Sequence, residues 1–239
     1  MKILNSNILK IMALIFMLFD HLWATIIPGN NWMNYLGRLA FPIFAFFIAE
    51  GFEKTKDVNK YLKRLFLFAL ISEVPFNLMY ISSPFFIFHQ NIFFTLFLGL
   101  YSIKIVDSLI KEFSIKKLFK TIFILILIFI ISIIGFVDYG IVGVLTILMF
   151  YLSKKVKLSW LIQLIYFILV FIVFFEGQMI EFNFLNNVFS FPSQGFCIFS
   201  LPLIWLYNGN RIENKFFKYF NYWFYPIHML ILYLFKFML

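Results

Sequence analysis

Residues 118–136 read LFKTIFILILIFIISIIGF, an apolar run introduced by Lys116, Lys117 and Lys120. A helix needs about 20 such residues, within a range of roughly 17–25, to cross the hydrocarbon core of a bilayer. Runs of the same kind cover 8–27, 32–52, 61–81, 90–109, 138–154, 158–175, 195–207 and 219–238. Together they predict about nine transmembrane helices with short connections. The runs 138–154 and 195–207 are short enough to be re-entrant, and the aromatic-rich stretch 182–191 is expected in the interface or as an extra half-span.

Composition agrees with that reading. The 239 residues are 63% hydrophobic and only 13% charged, against about 25% charged in a soluble domain. There are too few charges to wet a surface. The fold class expected is therefore an all-α polytopic membrane protein, with residues 1–239 forming one transmembrane domain in a single bundle. The first run continues from Ile8 to Ile27 without a small-residue cleavage site, and Asp20-His21 interrupts it, so it reads as a retained helix and not a signal peptide. Cys197 is the single cysteine, which excludes an intrachain disulfide and says nothing about compartment.

The basic residues test the span assignment. Lys54, Lys56, Lys60, Lys63 and Arg64 fall between the second and third runs, and Lys111, Lys116, Lys117 and Lys120 between the fourth and fifth. Lys154, Lys155 and Lys157 follow the sixth, and Arg211, Lys215 and Lys218 precede the ninth. With Lys2 and Lys10, about 17 of the 20 Lys and Arg lie on one side, while the alternate loops carry none. Cytoplasmic loops are enriched in Lys and Arg, so the N-terminus is expected inside and the C-terminus outside, in a bacterial cytoplasmic membrane. The net charge of +9 is thereby assigned to topology and contacts with anionic membrane lipids. Nucleic acid is not an expected partner. A phosphate-bearing cytoplasmic ligand is the alternative use of the inner cations.

Ionisable groups inside a bilayer are expensive and usually face a bundle interior or a wet cavity, so function is sought there. Asp20 and His21 lie about two-thirds of the way out along the first run, and Arg38 near the outer end of the second, after Gly37. Glu73 and Asn77, four residues apart on one helical face, flank Pro75, which can kink the helix. His89, Gln90 and Asn91 open the fourth run with Thr95 a turn below, Asp138 opens the sixth, and His228 follows Tyr225-Pro226 in the last. Such a set can converge on one pocket.

Each residue also has a structural reading. Asp138 and Asn91 suit helix N-caps, Arg38 can neutralise Asp20 or Glu73, and His228 can bond a carbonyl near Pro226. His89 fits an interface, Glu50 near an inner helix end can reach water, and Trp32, Trp160 and Trp223 suit interfacial anchors. No paired-Cys or His-Glu-x-x-His spacing is present, so no metal is expected.

A histidine beside a carboxylate within a span suits general-base chemistry, with Asp20 orienting the imidazole as the acid of a catalytic triad does. Adjacent helical residues point about 100° apart, so Asp20 can instead partner Arg38. No Ser or Cys nucleophile stands beside His21. Direct attack by an acceptor and a covalent intermediate are both open, with Arg38 or Asn91 stabilising an oxyanion. The inner cations, Lys63, Arg64, Lys116 and Lys117 among them, can hold a phosphorylated donor. His21 lies about 20 Å from the inner end of its helix at 1.5 Å per residue, a span comparable to an extended pantetheine arm.

These residues carry a family resemblance. Phe16-Met17-Leu18-Phe19-Asp20-His21 and Gly37-Arg38-Leu39-Ala40-Phe41-Pro42-Ile43-Phe44-Ala45-Phe46 resemble the TraX family. So do Ala49-Glu50-Gly51-Phe52, Tyr61-Leu62-Lys63-Arg64-Leu65, Ile71-Ser72-Glu73-Val74-Pro75-Phe76-Asn77 and His89-Gln90-Asn91-Ile92-Phe93-Phe94-Thr95. Asp138-Tyr139-Gly140 and Tyr225-Pro226-Ile227-His228 extend the match to the C-terminus.

The resemblance implies N-acetylation of a pilin terminal amine. It also implies likeness in plan to multi-span acyltransferases that carry acetyl from cytoplasmic acetyl-CoA to extracytoplasmic acceptors. In those families a histidine of the first core helix is catalytic, which falls on His21. The expectation is thus a membrane acetyltransferase with acetyl-CoA as donor substrate. Its acceptor is a peptide amine or a surface-glycan hydroxyl, and its site is drawn from His21, Asp20, Arg38, Glu73 and Asn91. Asn77, His89, Gln90, Thr95, Asp138 and His228 are further pocket candidates. The competing class is a proton-coupled transporter relaying protons through Asp20, Glu73 and His228.

Overall fold

A computed structural model describes residues 2–174, 178–184, 187–210 and 215–238. Its helices are α1 (Ser6–Thr25), α2 (Asn31–Gly37), α3 (Ala40–Lys54), α4 (Val58–Ile81), α5 (Ile92–Lys111), α6 (Ile115–Ile134), α7 (Gly140–Ser153), α8 (Ser159–Phe167), α9 (Ser200–Trp205) and α10 (Lys215–Met238). Helix α8 runs on as a π-helical segment Ile168–Phe174, and a 3-10 segment Ser193–Phe199 leads into α9.

Side chains start four of these helices. Asn5 accepts from the amides of Asn7 and Ile8 at 3.0 Å each to open α1, and Asp57 accepts from Lys60 N at 2.9 Å to open α4. Asn91 accepts from Phe93 N at 3.1 Å to open α5, and Ser114 from Lys117 N at 3.2 Å to open α6. Each bond satisfies a donor that helix geometry leaves orphaned.

Five described helices are long and apolar enough to cross a membrane: α1, the stretch Asn31–Lys54, α4, α5 and α6. Within α6 only 17% of the most apolar window is buried, at a mean hydropathy of 2.6. An exposed face of that composition is stable against lipid tails and untenable in water. The chain is an all-α membrane protein in class.

These five do not confirm the expected count of about nine spans, although all nine expected runs contain described helix. The segments Gly140–Ser153, Ser159–Val173 and Ser193–Trp205 are apolar but short. Helix α10 has 24 residues, but Asn221, Tyr225, Pro226, His228 and Lys236 dilute its apolar character. The expected second run is broken at Arg38-Leu39. Pro42 has no amide hydrogen to give to the Arg38 carbonyl four residues earlier, so the turn opens there.

The described residues of 182–191 lie in two paired strands and do not form a helical half-span. Strand β1 (Met179–Phe184) pairs antiparallel with β2 (Asn187–Pro192), with Ile180 opposite Phe191 and Phe182 opposite Phe189. Polar Glu181 and Asn183 alternate with Ile180, Phe182 and Phe184, and that period of two is a strand pattern. Of the expected loop cations, Arg211 lies outside the described residues.

The chain divides into two compact units, residues 1–44 with 156–239, and residues 45–155. In the first unit α1 packs on α2 and α10, and α2 on the 3-10 segment, where Tyr35 and Phe196 stack with ring centroids 4.6 Å apart. In the second, α5 is central and packs on α4, α6 and α7. Gly99 makes the α5–α7 approach possible, since a Cβ there would collide with the Ile147 side chain.

Candidate functional site

In the first unit, the buried His21 of α1 and His228 of α10 meet with Nδ1 and Nε2 2.7 Å apart. Their ring planes agree within 7° with centroids 4.9 Å apart, so the hydrogen bond bridges ring edges within a nearly common plane. His228 Nδ1 lies 2.6 Å from the Phe224 carbonyl. A carbonyl only accepts, which assigns the proton to His228 Nδ1 and leaves its neutral Nε2 as an acceptor. His21 Nδ1 must then donate, and the lone pair of the neutral His21 ring sits on Nε2. Tyr225 flanks both rings, at centroid distances of 6.1 and 5.9 Å. Sequence reasoning weighed a carbonyl partner for His228 but missed that its other nitrogen orients His21. No spacing signals a pair 207 residues apart.

Asp20 turns away from that hydrogen bond toward α2. Its Oδ1 is 3.4 Å from an Arg38 guanidinium nitrogen and accepts from Asn34 Nδ2 at 3.0 Å. Gly37 lets the helices approach: a Cβ there would lie 2.5 Å from Asp20 Cβ and 2.9 Å from its Cα. The pairing with Arg38, one of the two open readings, is the one observed. Asn34 was missed, yet it stands four residues before Arg38 on the same helical face.

The remaining candidates gather in the second unit. Glu73 accepts from Asn91 Nδ2 at 2.5 Å and from Asn77 Nδ2 at 3.4 Å. Asn91 also donates to the Ala69 carbonyl at 2.8 Å and caps α5. Both amide hydrogens are engaged, which leaves no donor for an oxyanion. Asn91 is a cap and a carboxylate clamp.

Asp138 does not cap α7, since Tyr139 occupies that position. Its carboxylate lies 3.9 Å from His89 Nε2, its amide donates to Gln90 O at 3.0 Å, and its carbonyl accepts from Thr95 Oγ1. Phe136 and Tyr139 both adopt left-handed backbone, at φ 50° and 59°, a costly conformation for bulky residues. These bonds, with Gln90 N donating to Phe136 O at 2.9 Å, hold that turn. His89 packs edge-on against Phe76 at 4.9 Å.

The Asp138 carboxylate raises the His89 imidazole above its ordinary value; partial burial opposes this, and the Glu73 carboxylate adds to it. At 3.9 Å the Asp138 contact is an ion pair longer than a hydrogen bond. A raised folded-state value means the pair stabilises fully below the unfolded imidazole value of about 6.5 and fades as pH climbs through the folded one. An NMR titration is expected to place His89 above about 6.5 and to return it toward that value in Asp138→Asn. An unchanged midpoint would count against the pair.

The basic candidates of the second unit fare differently. Lys117 pairs with Glu112, Arg64 lies 5.5 Å from the Tyr61 ring centroid, and Lys63 and Lys116 are exposed. None of these four lines a cavity of about 790 Å³ whose lining includes Lys56, Asn59, Lys104, Asp107, Tyr151 and Lys155. Glu50 does not reach water as expected: it is buried, 2.6 Å from Lys54 Nζ and paired with Lys154.

Fold and site thus define a polytopic membrane protein with a buried, hydrogen-bonded histidine couple. The TraX protein family model matches residues 5–236, through both units, and the chain belongs to that family. It is similar to a probable fimbrial assembly protein, FimC of serogroup H1, from Dichelobacter nodosus, with 33% identity over 108 residues. That match covers 41% of this chain and 44% of the relative, so the aligned region spans less than half of each. No solved structure matches the chain.

Proposed function

We propose that this protein transfers an acetyl group from cytoplasmic acetyl-CoA to an acceptor beyond the bacterial cytoplasmic membrane, with His21 as general base. The observation that carries the reading is the hydrogen-bonded line from the Phe224 carbonyl through His228 to His21. It fixes the His21 ring and presents Nε2 as the basic atom, as the acid of a triad does for its histidine. The family supports the acceptor assignment, because a relative carries the name of a fimbrial assembly protein. A terminal amine of a pilin-type subunit is accordingly the preferred acceptor, ahead of a glycan hydroxyl.

In this scheme the neutral acceptor amine attacks the thioester carbonyl carbon while His21 Nε2 takes a proton from the attacking nitrogen. The C–S bond then breaks, and the departing thiolate takes the proton back from the imidazolium. The products are the amide and CoA thiol. Arg38, held by Asp20 and within electrostatic range of His21, is assigned to the negative charge that develops on the carbonyl oxygen. Asn34 and Asp20 position Arg38.

The test incubates purified full-length protein with acetyl-labelled acetyl-CoA and, in separate arms, a pilin-type peptide with a free amine and a surface-glycan fraction. Label on the peptide amine is expected. A folded protein that labels neither acceptor would overturn the reading.

A further inference from the structure

The second unit holds a polar cavity that the proposed chemistry at His21 does not use. At about 790 Å³ it falls within the roughly 300–1,000 Å³ of small-molecule sites. It is built where α3, α5 and α7 end and α4 begins, and Lys56, Lys104, Lys111 and Lys155 line it. Four carboxylates line it too, and each is engaged. Glu53 lies 2.6 Å from Lys154, Asp57 is 3.6 Å from Lys60 and caps α4, and Glu112 pairs with Lys117. Asp107 lies 2.8 Å from Lys111 and accepts from the Tyr151 hydroxyl at 2.6 Å.

Three of those neutralising lysines, Lys60, Lys117 and Lys154, stand outside the lining. Among the described residues, Lys56, Lys104 and Lys155 therefore have no carboxylate within ion-pair distance. Lys104 is held 2.7 Å from Asn59 Oδ1, and Lys155 3.2 Å from the Tyr151 hydroxyl. Those neutral partners hold the two ammonium groups, and Asp107, shared with Lys111, is the carboxylate whose charge reaches Lys155. The surplus is positive and lies where these four helix ends meet.

We propose that this cavity binds a phosphate-bearing anion through Lys56, Lys104 and Lys155, with Lys111 in support. A phosphate presents several acceptor oxygens with multiple negative charge, and charge-assisted bonds from ammonium donors are about twice as strong as neutral ones. The same chemistry occurs in the nucleotide end of a CoA thioester and in an anionic lipid headgroup. The choice of CoA as first probe rests on the acetyl-transfer reading, whereas the phosphate chemistry does not. By the distribution of cations, these helix ends are the cytoplasmic ones, where a soluble donor arrives.

The experiment measures binding of CoA, ADP and a short-chain phosphatidylglycerol to full-length protein in neutral detergent. It compares wild type, Lys104→Gln/Lys155→Gln and the exposed control Lys120→Gln, each checked for an unchanged melting profile. We expect the double variant to lose at least tenfold in CoA affinity, the control to match wild type, and binding to weaken as salt rises. If the double variant does not fold, Lys155→Gln alone is read, with a severalfold loss expected. Equal CoA binding by wild type and folded variant overturns the cavity assignment and leaves acetyl transfer standing. Lysine-dependent binding of ADP or the lipid without CoA supports the anion site and overturns the CoA reading. Binding of none of the three overturns both.

Discussion

Replacing His21 with alanine is expected to lower acetyl transfer by about 10²–10⁴-fold, the contribution typical of a positioned general base. The fold should persist, because alanine keeps the helical backbone of α1 and the bond removed to His228 joins two side chains. His228 supplies a discriminating companion. In His228→Phe, the His21 Nδ1–H loses the acceptor that now lies 2.7 Å away, and the ring is no longer held with Nε2 as its basic atom. That variant should fall toward the His21→Ala level. His228→Gln, whose amide oxygen can accept from Nδ1–H, should recover a measurable part of the rate. A purely structural role would instead make both variants unstable without separating their rates. The readout is kcat against KM for each variant, with the loss expected in kcat.

The second large effect is expected at Gly37. An added methyl would meet the Asp20 Cα and Cβ at 2.9 and 2.5 Å, and the Cα is backbone that cannot rotate away. Gly37→Ala should therefore push α1 from α2, at a cost of about 1–3 kcal/mol typical of overpacking. It should also lengthen the Asp20–Arg38 pair. Thermal unfolding is expected to show the loss, and transfer to fall with it, because Arg38 is held through that pair. Full activity and unchanged melting in Gly37→Ala would show that the helices tolerate the wider spacing.

Much of the fold is readable from local pattern. Apolar runs between Lys-bearing loops mark α1, α4, α5 and α6, since hydrocarbon accepts only backbone that satisfies itself. The break at Arg38 was in principle legible from Pro42, whose missing hydrogen acts four residues upstream. The strand pair was legible from the alternation around Glu181 and Asn183, but an aromatic-rich stretch in such a chain also suits a helical half-span.

The site divides along similar lines. Polar residues inside apolar runs announced Asp20, His21, Arg38, Glu73 and His228 as interesting one at a time. Their pairing was not legible. Nothing local couples His21 to a residue 207 positions away, and only helix packing decides that Asp20 serves Arg38. The lysine-lined cavity was hidden for the same reason. Loop charges mark a side of the membrane, whereas partnerships such as Lys154 with Glu53 decide which cations keep their charge.

The most direct test of the account places wild-type protein and His21→Ala side by side in single-turnover reactions with labelled acetyl-CoA and a free-amine peptide. Rapid labelling of the peptide by wild type is expected, with a loss of about 10²-fold or more in the variant. Equal labelling rates from two folded proteins would contradict it.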